Sequence, residues 1–149
     1  MFVVIKLYLG ELKKLKKIVR NKNKDMSLNK NKSFRYVYNR GISVVSPLLV
    51  TYVLKNQYRN NRIGITASKK IGNAVKRNRA RRIIKAAYRD LRENINTGYD
   101  IIFVARVRTV NSNSKKIFFV MNQHLDKLGC LKRSLFNKQN HEKICNSFN

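Results

Sequence analysis

Ser68-Lys69-Lys70-Ile71-Gly72-Asn73-Ala74-Val75-Lys76-Arg77-Asn78-Arg79-Ala80-Arg81-Arg82-Ile83-Ile84-Lys85-Ala86-Ala87-Tyr88-Arg89 is the stretch on which the reading of this chain turns. Nine of these residues are Lys or Arg and none is acidic. At about 100° per residue, a helix from Asn73 to Asn96 sets Ala80, Ile84, Ala87, Tyr88, Leu91 and Ile95 on one narrow stripe. Asn78, Arg79, Arg82, Lys85 and Arg89 gather on the opposite side. The pattern predicts a long amphipathic helix with an apolar stripe facing a core and a cationic face turned outward. Like charges three and four apart cost such a helix about 0.2–0.5 kcal/mol per pair. No acid is interleaved to offset them, so the offset must come from outside, and nucleic-acid phosphates supply it. Arg outnumbers Lys in the run, which suits forked phosphate contacts and stacking on bases. Asn78 adds an amide that both donates and accepts.

Working outward, Arg62-Ile63-Gly64-Ile65-Thr66-Ala67 alternates and reads as a strand before the helix. Leu48 to Leu54 is a second strand, rich in β-branched and aromatic residues. Ile42 to Val45 is a third, separated by the Ser46-Pro47 break. Asn56 to Asn61 forms a polar turn. Ser33 is the expected N-cap of a first helix that carries Phe34 and Tyr38 on one face and ends at Gly41. After the long helix, Thr97-Gly98 turns the chain into Tyr99–Ala105, a nearly all-apolar and therefore buried strand. Asn111 or Ser112 caps a last helix, about Ser114 to Leu128, with Ile117, Val120, Met121, His124, Leu125 and Leu128 on its apolar face. Gly129 stops it. The order α-β-β-β-α-β-α predicts an α+β two-layer sandwich on a small mixed sheet.

The expected division is a basic N-terminal extension over 1–25, a folded domain over 26–128 and a flexible polar tail over 129–149. Met26 is a second candidate start. The 149 residues carry 34 Lys+Arg against 7 Asp+Glu, a formal net charge of +27. So one-sided a balance repels itself and calls for a polyanion. The opening run Met1 to Leu9 is too short to span a bilayer, so a membrane is not the expected partner. It also lacks the flanks of a signal peptide. Cys130 and Cys145 form no disulfide framework, and with His124 and His141 they match no common zinc spacing. Reduced thiols and a cytoplasmic location are expected. The acids Glu11, Asp25, Asp90, Glu93, Asp100, Asp126 and Glu142 are scattered and suggest no catalytic cluster in this chain.

The run Ser68-Lys69-Lys70-Ile71-Gly72-Asn73-Ala74-Val75, followed by Arg77-Asn78-Arg79 and Arg81-Arg82, resembles the signature of the bacterial ribonuclease P protein family. The likeness extends from about Leu28 to Leu128 and includes Phe34, Tyr38, Gly41 and Tyr52. It implies a sandwich with a left-handed β-α-β crossover, a departure from the usual hand. It implies a subunit of an endoribonuclease that matures tRNA 5′ ends, with catalysis in the RNA subunit and Mg2+ needed by the holoenzyme. It also implies two RNA surfaces. Lys76, Arg77, Asn78, Arg79, Arg81 and Arg82 would dock on the ribonuclease P RNA. Phe34, Tyr38, Val50 and Tyr52, edged by Lys69, Lys70 and Lys85, would hold the precursor-tRNA 5′ leader. No further protein partner is required. Periodicity alone favours ordinary core for the three aromatics. The resemblance moves Phe34 and Tyr38 to the cleft and leaves Tyr52 balanced between the two. Lys85 stands where the family often has Arg, and Tyr38 where it often has Phe. A ribosomal or other structural RNA-binding protein would share the charge without needing the ordered signature.

Overall fold

The computed structural model describes residues 26–132. The expectations for 1–25 and 133–149 lie outside the described residues. The elements are β1 (Met26–Ser27), α1 (Asn31–Arg40), β2 (Ile42–Val45), β3 (Leu49–Lys55), β4 (Arg62–Thr66), α2 (Ala74–Leu91), β5 (Tyr99–Ala105) and α3 (Ser114–Lys127). Short 3-10 turns occupy Lys69–Ile71, Arg92–Asn94 and Val107–Asn111. One sheet runs in the order β1-β4-β5-β3-β2. β5 lies between parallel β4 and antiparallel β3. Its run of apolar residues belongs there, since a central strand is covered on both faces.

Strand alternation divides the core in two. Leu49, Val53, Ile101, Phe103 and Ala105 face α2 and α3 and join Ala80, Ile84, Leu91, Ile117, Met121 and Leu125. Ile102 faces the other way, with Val37 of α1, Leu28 and the half-buried Phe34, Tyr52 and Val104. The sandwich thus has the expected elements, with α1 lying alone on the face opposite α2 and α3. α2 links β4 to the adjacent parallel strand β5 in a β-α-β crossover.

Several boundaries differ from the sequence reading. Ser33 is not a cap: α1 begins two residues earlier, after Lys30, and no side chain caps it. Gly41 does end α1, but not through left-handed backbone. A Cβ there would sit 2.5 Å from the Val37 carbonyl oxygen, so only glycine lets β2 leave so close to the helix. Asn73 caps α2 rather than joining it, accepting from the Lys76 N–H at 3.0 Å. α2 ends at Leu91, before Asn96, and Ile95 is buried from the following loop. Asn113, not Asn111 or Ser112, caps α3, because Val107–Asn111 is itself a 3-10 turn. The expected tail does not begin at 129. Cys130 is fully buried, its carbonyl accepts from Asn96 N–H, and Leu131 bridges to Ile95. Met26–Ser27 adds a two-residue strand beside β4 that alternation could not show.

Candidate nucleic-acid interface

The face of the sheet under α1 is aromatic. Phe34 and Tyr38, one helical turn apart, have ring centroids 6.3 Å apart, and Tyr38 meets Tyr52 edge-on at 4.9 Å. Tyr52 projects from β3 beside Val50, and β2 sets Ser43 and Val45 opposite them. Phe34 is seated on Gly64, where a Cβ would come within 2.6 Å of its ring. Gly64 therefore fixes how near α1 approaches β4. The Tyr38 hydroxyl hydrogen-bonds Thr66 at 3.3 Å, yet 36% of Tyr38 stays exposed. Phe34, Val50 and Tyr52 are half-buried. The aromatics are thus neither plain core nor loose surface. They form a supported, part-exposed aromatic ledge, the kind of surface on which a single strand can stack.

The opposite side of the molecule carries α2. Lys76, Asn78, Arg79, Arg81, Arg82 and Lys85 are exposed. The expected RNA-subunit set does not share one face. Arg77 falls beside the buried stripe at about 100° per residue. It is half-buried and donates to the Gly72 carbonyl at 2.7 Å, closing the turn before α2. Arg79 Nε donates to the Val110 carbonyl at 3.0 Å and ties α2 to the turn before α3. Arg81 reaches Asn78 Oδ1 at 3.4 Å. Arg79 and Arg82 turn instead toward a groove of about 980 Å³ that also takes in Phe34 and Lys85. Lys85 was expected at the edge of the aromatic cleft. It lies in this groove and meets the cleft only at its Phe34 end, because it projects from α2 on the far face of the sheet. Lys69 and Lys70 are exposed on the 3-10 turn that leads into α2.

Two other sets escaped the sequence reading. Asp100, 1% exposed, takes a forked contact from Arg62 and a 2.7 Å hydrogen bond from Asn56. Arg62 in turn lies 4.6 Å from the centre of the Tyr58 ring. The hydrogen bond to Asp100 raises the Arg62 pKa above its ordinary value. His124 is buried, with Nδ1 2.9 Å from the Thr51 hydroxyl. Burial, with help from Lys127, lowers its pKa below 6.5. Neither pairing has a local signature, since each joins residues far apart in the chain.

Among the described residues, no three His, Cys, Asp or Glu side chains gather to hold a metal ion. The chain matches the family described as Ribonuclease P over residues 23–129. It is 43% identical over 107 residues to the ribonuclease P protein component of Clostridium botulinum (strain 657 / Type Ba4), covering 71% of this chain and 96% of that one. The protein component of Clostridioides difficile (strain 630) is 47% identical over 96 residues, 64% of this chain and 84% of its own. The structure of this chain is similar to that of the Staphylococcus aureus RNase P protein, with a TM-score of 0.65 at 30% identity over 73% of this chain and all of that one. The Thermotoga maritima RNase P protein gives a TM-score of 0.56 at 26% identity, over 72% and 96% of the two chains. Matched by the family over residues 23–129, by relatives at this identity over nearly their whole length and by the same fold, the chain belongs to the ribonuclease P protein family.

Proposed function

We propose that this chain, as the protein subunit of ribonuclease P, holds the RNA subunit on its α2 side and the 5′ leader of precursor tRNA on the ledge under α1. The observation that carries the reading is the placement of the supported aromatic ledge and the cationic helix, which has no ion pair to an acid among the described residues, on opposite faces of one sheet. Two polyanions brought together repel each other, and cations between them offset that repulsion. The leader, being single-stranded, offers base faces to Tyr38, Tyr52 and Phe34, each stack contributing about 1–3 kcal/mol with little sequence preference. Lys69 and Lys70 stand ready for its phosphates. Hydrolysis is assigned to the RNA subunit, which would also hold the Mg2+. The chain's own scattered acids support that division, since Asp100 is committed to Arg62 and Asn56. A cytoplasmic site of action fits the charge, and among the described residues no helix is long and apolar enough to cross a membrane.

Tyr38→Ala tests the ledge. The reconstituted holoenzyme should bind precursor tRNA roughly tenfold more weakly, the loss of about one stacked base, and should bind mature tRNA as before. Tyr38→Phe removes only the hydroxyl and should restore most of the affinity. Equal losses for both tRNAs would show that Tyr38 serves only to pack α1.

A further inference from the structure

The groove on the α2 side has a composition that α2 alone does not explain. Arg79, Arg82, Lys85, Arg89 and Arg92 form one wall, and no acid lines it. Apolar side chains line it too, chiefly Phe34 of α1, Ile63 and Ile65 of β4, and Ile83 of α2 itself. The groove passes round β4, whose outer edge is covered only at Arg62 and Ile63 by the two-residue β1. Phe34 belongs both to this groove and to the α1 ledge, so the two surfaces meet there.

We infer that the Lys85, Arg89 and Arg92 reach of the groove, beyond the Arg79 and Arg82 that serve the RNA subunit, is a second track for single-stranded RNA, occupied by leader nucleotides upstream of those on the ledge. The inference rests on the proposed function. A row of cations asks for phosphates, and the apolar wall asks for base faces. A duplex hides its bases and would leave that wall uncovered; an unpaired strand satisfies both. Among the described residues the one ion pair is Arg62–Asp100, so Arg82, Lys85, Arg89 and Arg92 have no acid to hold them. The chain's own residues 1–25 are a poor occupant, with eight Lys or Arg against two acids. Phe34, shared by ledge and groove, joins the two surfaces that the strand would follow.

The test compares precursor tRNAs carrying leaders of about six and about sixteen nucleotides, bound to the reconstituted holoenzyme. With the unaltered chain, the longer leader should bind more tightly. Arg89→Ala with Arg92→Ala should reduce that advantage roughly tenfold. An undiminished advantage would overturn the inference. So would an equal loss for both leaders together with weaker binding of the RNA subunit, which would give the groove to that RNA instead. A photoreactive nucleotide placed far upstream in the long leader provides a check on the unaltered chain. Crosslinks to the Ile63–Ile65 or Arg89–Arg92 segments support the track, and crosslinks confined to other segments exclude it. Failure of the unaltered chain to distinguish precursor from mature tRNA would remove the proposed function itself, and the track with it.

Discussion

Gly64 governs the candidate site from beneath. Phe34 rests where a Cβ would stand, with ring atoms 2.6 and 2.7 Å away. Gly64→Ala should therefore destabilise the domain by about 1–3 kcal/mol through overpacking, read as a lower urea midpoint, and weaken leader binding by lifting Phe34. An unchanged midpoint would mean that α1 moves freely over the sheet. His124 gives a prediction in pH. Its pKa is lower in the fold than its ordinary 6.5, because burial disfavours the charged imidazolium. The unfolded chain thus takes up the proton first as pH falls. The stability from neutral His124 is complete above about 6.5 and declines below it. His124→Gln should flatten that decline in urea titrations from pH 7.5 to 5. Burial also raises the Cys130 thiol to about 11, so in a Cys145→Ser chain alkylation at pH 8 should be slow until urea is added. At this scale the sequence was a partial guide. The aromatic positions stand out through their four-residue spacing. Thr66, Gly64 and the Arg62–Asp100 pair do not, because each matters only through a partner brought near by sheet register.

α2 shows what periodicity conveys about an element and what it omits. The buried stripe Ala80, Ile84, Ala87, Tyr88 and Leu91 follows from spacing alone, and each is buried in the fold. The helix ends were harder to read, since a 3-10 turn at Arg92–Asn94 continues the apolar pattern into Ile95 without continuing the helix. Asn73→Ala should cost about 1 kcal/mol by freeing the Lys76 N–H. The side chains part company along the same helix. Arg77 secures the Gly72 turn, while Arg79 and Arg82 reach the groove. Arg79→Ala with Arg82→Ala should weaken assembly with the RNA subunit and lessen its salt dependence by one to two phosphate contacts' worth of slope, about 0.7–0.9 each. Arg77→Ala should instead lower the melting temperature, with a smaller effect on salt slope. Indistinguishable behaviour of the two variants would contradict the division of roles.

The whole molecule is a sheet with two different faces. One is closed by α2 and α3; the other is only partly covered by α1, which leaves the aromatic ledge open. The element sequence predicted the sandwich because the apolar strand Tyr99–Ala105 and the striped helix before it leave few arrangements that bury both. It did not predict β1, or that Cys130 and Leu131 pack back onto the domain, since two- and three-residue contacts carry no period. The net charge of +27 becomes intelligible at this scale. The isolated chain repels itself, and under the proposed function two RNAs would offset that charge. The most direct test of the account is reconstitution at low magnesium. The purified chain is added to bacterial ribonuclease P RNA, and release of the 5′ leader from precursor tRNA is followed, with each component alone as a control. Leader release that requires both is the predicted result. Cleavage by the protein alone, or no stimulation of an RNA that is active by itself at high magnesium, would contradict it.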